Sequence, residues 1–172
     1  MELEQEIKNI TSTKPSGTVT FLFSDIEGST QLLHRIDDKY AQALEEQREI
    51  MRAAFQQFAG YEIDTAGDGF FVAFGRAQDG VAAAIMAQRQ LAMHRWPEGE
   101  TLAVGMALHT GELLATATGY VGVDVHRAAR LCSTGHGGQI LISETTRQLV
   151  TDNLPEGVTL RDLGKLRLKE LQ

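Results

Sequence analysis

The order of apolar and polar residues alternates between strand-like runs and helix-like spacing along the chain. Residues 18–23 are β-branched or apolar and predict a buried strand, which is followed directly by Asp25. From 29 to 58 apolar residues recur every three or four positions, which predicts two consecutive helices with a break near Asp37. Gly60 is expected to end the second helix.

The same alternation continues to the end of the chain. The further predicted elements are a hairpin over 61–74, a helix over 77–94, a strand over 102–109, a strand and loop or a loose hairpin over 111–122, a helix over 123–132, a short strand over 139–142, a helix from Ser143 to Val150, and a terminal hairpin over 160–169. This order predicts an α/β (α+β) sandwich of the ferredoxin-like kind, with helices packed on a mostly antiparallel sheet.

Composition limits the kind of protein. A chain of 172 residues with 42% hydrophobic and 23% charged residues predicts one globular domain over 17–172, preceded by a lead-in over 1–16 that is disordered or a short attaching helix. The net charge is −7 and basic residues form no stripe, which argues against nucleic-acid and membrane partners. With Cys132 as the single cysteine and no signal peptide or long apolar run, we expect a cytoplasmic protein without disulfides.

Two aspartates stand where predicted strands end. Asp25 precedes a helix for which Ser29 or Thr30 is a candidate N-cap, and the free N–H groups of such a helix start favour phosphate. Asp68 lies at the tip of the predicted hairpin between two glycines. Carboxylates in this arrangement, with a main-chain carbonyl, suit a pair of divalent cations.

Four sequence blocks occur together in one order, and they are 21–30 (FLFSDIEGST), 65–70 (TAGDGF), 105–111 (GMALHTG) and 125–130 (VHRAAR). In this combination the chain resembles the class III nucleotidyl cyclase catalytic domain, in particular its bacterial branch. The resemblance runs from about residue 16 to residue 171. It implies conversion of a nucleoside triphosphate into the 3′,5′-cyclic monophosphate and pyrophosphate.

The resemblance also implies a metal and phosphate site. Two ions, Mg²⁺ or Mn²⁺, would be bound by Asp25, Asp68 and the main-chain carbonyl of Ile26. The residues that would line the triphosphate are Glu27, Gly28, Ser29 and Thr30. Two metal ions at such a site neutralise phosphate charge and acidify the attacking hydroxyl, which is the chemistry that phosphoryl transfer requires.

A second copy of the chain would complete the site. The resemblance implies a head-to-tail homodimer in which Arg130 of the partner stabilises charge on the phosphoryl oxygens. His126 stands where the family has a transition-state asparagine, and Lys169 loosely matches a lysine that contacts the outer phosphates. Bacterial members of this kind are often joined to a regulatory domain, which we therefore include among the expected partners.

The base to be recognised is less plainly encoded. Adenylate cyclases of the family carry a lysine four residues before the hairpin aspartate, whereas Asp64 stands here and is closer to the glutamate of guanylate cyclases. The second base-reading position falls on Gly119 or Tyr120. We predict a purine nucleoside triphosphate, with ATP preferred on the habit of the bacterial branch and GTP as the alternative.

Two other functions compete with this prediction. A cyclase homology domain that has lost turnover would bind nucleotide, or only dimerise, to regulate attached domains, and His126 and Asp64 favour it. A phosphohydrolase or polymerase-like enzyme would use the same two-metal chemistry on a related fold. Product identity separates all three.

Overall fold

A computed structural model of the protein describes residues 14–117 and 119–165. Its strands and helices are β1 Gly17–Ile26, α1 Ser29–Ile36, α2 Tyr40–Gln57, β2 Tyr61–Ala66, β3 Gly69–Phe74, α3 Ala77–Met93, β4 Val104–Thr116, β5 Gly119–Val121, α4 Val123–Thr134, β6 Ile140–Ile142 and α5 Glu144–Val150. Short 3₁₀ turns occupy Asp37–Lys39, Pro97–Gly99 and Thr151–Asn153. None of the helices in the described ranges is long and apolar enough to span a lipid bilayer.

The strands form one sheet in the order β2-β3-β1-β4-β5, with every neighbouring pair antiparallel. Strand β6 pairs with β4 in the parallel sense, from Met106 opposite Ile140 to Leu108 opposite Ile142. The long central strands β1 and β4 pair along the whole of β1. The predicted sandwich with a mostly antiparallel sheet is therefore confirmed.

Each face of the sheet carries its own hydrophobic core because side chains alternate along β1. Leu22 and Ile26 belong to the larger core, which α1, α2 and α3 cover. Val19 and Phe21 belong to a smaller core on the other face, to which α4 contributes the buried Ala128 and the partly buried Val125. Within residues 14–117 and 119–165, α4 is the one helix that covers the second face.

The structure corrects two sequence-based boundaries and decides one alternative that the sequence left open. Strand β1 continues to Ile26, so Asp25 is the second-last residue of the strand and is paired with Gly105 of β4. The stretch 111–122 is the end of β4 plus the short strand β5, which is the hairpin alternative. Residues 160–165 are irregular rather than a strand, and Leu160 and Leu163 are exposed there. The rest of the expected terminal hairpin lies outside the described residues.

Candidate active site

Pairing between β1 and β3 brings the two predicted metal ligands together. Ser24 is opposite Phe70, and the Phe70 N–H donates to the Ser24 hydroxyl oxygen at 3.2 Å. Gly69 packs so closely that an added Cβ would lie 2.9 Å from the Ser24 carbonyl oxygen. Glycine at this position therefore lets the β2–β3 turn, with Asp68, close onto the end of β1 beside Asp25.

The turn itself is held from the opposite side by helix α2. Gly67 has φ 59°, a left-handed conformation that glycine adopts without a steric penalty. The Arg48 guanidinium donates to the Gly67 carbonyl at 2.6 Å. Because this bond joins residues 19 positions apart, it fixes the turn, and the adjacent Asp68, to the helical layer.

The carboxyl groups of Asp25 and Asp68 lie within hydrogen-bonding reach of each other. The pKa of Asp25 is raised by desolvation, by the negative charge of Asp68 and by a side-chain hydrogen bond with Asp68, while the Ile26 backbone lowers it. The Oδ2 atom of Asp68 is buried and has no hydrogen-bond partner among the described residues. This arrangement fits a divalent cation, because the ion would neutralise the two neighbouring carboxylates and would give Asp68 Oδ2 a ligand.

An uncapped helix start lies beside the carboxylates. Gly28, with φ 63° and ψ 35°, is the N-cap of α1, and no side chain caps the helix. Ser29 and Thr30 are consequently the first two helical residues, so the expected Ser or Thr cap is wrong: a left-handed glycine makes the turn instead. The first N–H groups of α1 remain open to an anion.

Glu27 anchors the loop between β1 and α1. Its N–H donates to the Ala103 carbonyl at 2.8 Å, so this particular group is not available to phosphate. Its exposed carboxylate lies 3.7 Å from the ring of His136, in the loop that follows α4. Glu27, one of the four predicted phosphate-lining residues, therefore uses its backbone N–H to hold the loop against Ala103.

Helix α4 directs its predicted functional residues away from the sheet. Ala128 is buried and the Cys132 thiol lies 3.5 Å from the Phe23 carbonyl oxygen, so this side of α4 faces β1. At about 100° per residue, His126 and Arg130 project from the opposite side. No hydrogen bond or ion pair joins either residue to Asp25 or Asp68 within 14–117 and 119–165.

Asp64 shares the sheet face of Asp25. A register shift in β2 between Glu62 and Asp64 sets Asp64 opposite Phe71, and directly opposed residues point to the same face. Phe71 stacks on Phe23, with ring centroids 4.3 Å apart. Because Asp25 follows Phe23 by two positions, the acid, the aromatic pair and Asp64 lie on one face.

The second base-reading position, Gly119 or Tyr120, offers no exposed polar side chain for a base. Tyr120 is buried, its ring meets Phe21 edge-on at 5.3 Å, and its hydroxyl donates to the Pro15 carbonyl. Burial raises the pKa of Tyr120 to about 12. Lys169, the last predicted site residue, lies outside the described residues.

Sequence reasoning missed two residues beside the carboxylates. Arg48 holds the turn, and Tyr40 stands close enough that burial first, and then the charge of Asp68, raise its pKa. Both lie on helix α2, and neither belongs to one of the four sequence blocks that carry the family resemblance. Their helical spacing of eight residues, close to two turns, was the one available signal.

The sequence matches the family model of the adenylate and guanylate cyclase catalytic domain over residues 11–170. The chain therefore belongs to this family, and the predicted class III membership is confirmed. An uncharacterised protein of Mycobacterium tuberculosis is 38% identical over 164 residues, which are 91% of this chain and 53% of that relative. The chain thus spans about half the length of that relative.

More distant relatives agree at the level of family and fold. The adenylate cyclase of Lachancea kluyveri is 30% identical over 154 residues, covering 75% of this chain and 8% of the fungal protein. A solved adenylate cyclase structure from Trypanosoma brucei superimposes with a TM-score of 0.79 at 22% identity, covering 93% of this chain and 86% of that one. At that identity the structural match supports the fold.

Proposed function

We propose that this domain is a nucleotidyl cyclase that converts a purine nucleoside triphosphate, ATP in preference to GTP, into the 3′,5′-cyclic monophosphate and pyrophosphate. The observation that carries the proposal is the Asp25 and Asp68 pair, with its orphaned oxygen, beside the uncapped start of α1. Membership of the cyclase family supports the same chemistry.

Asp25, Asp68 and the main chain at Ile26 would hold Mg²⁺ or Mn²⁺. Mg²⁺ binds commonly through one or two carboxylates together with substrate phosphates, which is the donor set available here. When bound, two such ions would neutralise the triphosphate and make the ribose 3′-hydroxyl more acidic. Gly69 and the Arg48 bond to Gly67 would keep the two acids in place during turnover.

The start of α1 would receive the triphosphate. The free N–H groups after Gly28 and the positive end of the helix dipole favour a polyanion, and Ser29 and Thr30 add hydroxyl donors. This turn follows Asp25 by only a few residues. Phosphate oxygens bound there would therefore remain within reach of the carboxylate pair.

A second copy of the chain would supply the transition-state donors. His126 and Arg130 project away from their own sheet, which suits a site on a partner subunit. The exposed apolar residues Leu114, Val121 and Val123 are 79%, 61% and 66% exposed and lie on the β4–β5 hairpin and the start of α4, a surface suited to self-association. The guanidinium of Arg130 would oppose charge growing on the phosphoryl oxygens.

Asp64 would contact the base. Its carboxylate is an acceptor on the face that carries the Phe23 and Phe71 stack, so it can accept from an exocyclic amine. Both adenine and guanine carry such an amine, which is why the substrate assay must include both. The fungal relative named adenylate cyclase supports ATP as the preferred substrate.

Product formation tests the proposal. The purified chain is incubated with Mn²⁺ and ATP, GTP, CTP or UTP, and cyclic monophosphates and pyrophosphate are detected by mass spectrometry. We expect a cyclic purine nucleotide that disappears in Asp25→Ala but persists in Glu112→Ala, an acid on β4 away from the carboxylate pair. A linear monophosphate or inorganic phosphate instead would indicate a hydrolase and refute the proposal.

One observation favours a second candidate function, a cyclase homology domain without turnover. His126 stands in place of the family's asparagine and has no hydrogen-bond partner among the described residues. Loss of one transition-state donor costs about 10²-fold to 10³-fold in rate. A dimeric sample that binds Mn²⁺ and nucleotide, yet forms no cyclic product, would establish this second function.

A further inference from the structure

Helix α4 has little apolar packing to hold it on the sheet. Of its 12 residues only Ala128 is fully buried, with the partly buried Val125 packed against the same core, whereas seven of the 17 residues of α3 are fully buried. Alanine contributes one methyl group, so its burial fixes the position of a helix weakly. With so few buried apolar side chains, polar contacts should contribute substantially to the direction in which α4 points.

A largely buried polar contact between α4 and the sheet lies in the first turn of the helix. Asp124 Oδ1 is 2.8 Å from His109 Nε2, and His109 Nδ1 is 2.7 Å from the Ser143 hydroxyl oxygen. The side chains of His109 and Asp124 are 9% and 23% exposed. Since Ser143 is the N-cap of α5, one histidine ring joins β4 to the starts of two helices.

The backbone of β4 is shaped to admit the Asp124 carboxylate. A Cβ added at Gly111 would lie 2.2 Å from Asp124 Oδ2, so only glycine leaves room for the acid. Arg127 also approaches Asp124 Oδ1, at 3.3 Å, but from the exposed side of the helix. The two contacts of Asp124 are thus one enclosed anchor and one surface ion pair.

We infer that Asp124 is a positioning residue, whose bond to His109 fixes α4 on the sheet and thereby sets the direction of Arg130. This inference rests on the proposed function, in which Arg130 acts in the site of the partner subunit. Arg130 follows Asp124 by six residues, or about 9 Å along the helix axis. A loosened first turn would displace it, and a displacement of about 1 Å can cost on the order of 10²-fold in rate.

Two variants break the anchor in different ways. Asp124→Ala removes the carboxylate, whereas Gly111→Ala retains it and drives it from its place beside His109. We expect both to lower kcat for the cyclic product by about 10-fold to 100-fold with KM for the nucleotide within about 3-fold, because the nucleotide binds mainly elsewhere. Asp124→Asn keeps an acceptor for His109 and should retain wild-type kcat within about 3-fold.

Arg127→Ala is the matched control, because it removes only the exposed partner of Asp124 and should leave kcat unchanged. In the double variant Asp124→Ala with Arg130→Ala, kcat should equal that of Arg130→Ala alone if Asp124 acts through Arg130. Independent, multiplying losses would overturn the inference, as would a wild-type kcat in both Asp124→Ala and Gly111→Ala.

Hydrogen exchange separates failure of this inference from failure of the proposed function. In Asp124→Ala and Gly111→Ala, the amide exchange rate of peptides from 123–134 should rise about 10-fold or more. The exchange rates of β1 and α3 should stay unchanged. Arg127→Ala and Asp124→Asn should match the wild type. If the wild-type chain forms no cyclic product, the proposed function fails, and the exchange experiment alone tests the Asp124–His109 anchor. Unchanged exchange of α4 in both variants would then overturn the inference.

Discussion

Replacing Asp68 by asparagine should stabilise the metal-free protein while removing its response to metal. Two unit charges about 4 Å apart repel by about 1 kcal/mol in water and by about 4 kcal/mol near a partly buried surface. Because Asp25 is exposed, solvent screening favours the lower figure, about 1 kcal/mol. The amide introduced by Asp68→Asn can also donate to the Asp25 carboxylate. For a domain of this size about 1 kcal/mol corresponds to about 2–4 °C in Tm.

The gain should depend on pH in a defined direction. The pKa of Asp25 is raised in the folded protein above its ordinary value of 3.8, so the folded state takes up this proton more readily than the unfolded state. The stability linked to this proton is complete below pH 3.8 and is lost as the pH rises through the raised pKa. The advantage of Asp68→Asn should therefore be largest at neutral pH and shrink as the solution is acidified toward 3.8.

Thermal melting in EDTA and in Mn²⁺ measures both effects. Wild-type protein should gain about 2.7 kcal/mol when the free ion is at 100 times Kd, and Asp68→Asn should gain none of it. Asp64→Asn is the control, because it removes an exposed acid from the same sheet face without separating the pair. A lower Tm for Asp68→Asn in EDTA at pH 7, or an undiminished response to Mn²⁺, would refute the reasoning.

Three further predictions concern single residues. Gln47→Leu should raise the free energy of unfolding by about 1–3 kcal/mol, because both side-chain polar atoms of Gln47 are buried without partners among the described residues. A loss of stability in urea titration would contradict this. Arg48→Met should raise the Kd for Mn²⁺ several-fold by freeing the turn at Gly67, and an unchanged Kd in calorimetry would argue against that role. Burial, and then the charge of Asp25, raise the pKa of Cys132 to about 11, so its thiol should react with Ellman's reagent at pH 8 about 10²-fold more slowly than in urea; equal rates would be inconsistent with this environment.

The sheet and the carboxylate pair were predictable because their signals are local. The run 18–23 and the glycine-flanked Asp68 carry strand and turn information within a few residues. The helix start was misjudged because a serine and a threonine stood nearby, whereas the backbone uses Gly28 in a left-handed conformation. Local chemistry thus predicted the candidate site but not every detail of its backbone.

Contacts between distant segments left no such signal. His109 and Asp124 are 15 residues apart on different elements, and no spacing rule links them. Position 109 lies at the end of the strand predicted over 102–109, and the structure shows there a buried histidine with two hydrogen-bond partners. The hairpin expected over 160–169 is described only as far as residue 165, and that part is irregular.

Mixing two inactive variants tests most directly whether this chain forms a cyclase site from two copies. Asp25→Ala lacks an acid of the carboxylate pair, and Arg130→Ala lacks the arginine proposed to act in the site of a partner subunit. Each alone should form almost no cyclic nucleotide, while an equimolar mixture should recover about a quarter of wild-type activity, because half of the dimers then contain one intact site. No recovery from two folded, dimeric variants that exchange subunits would contradict the shared site.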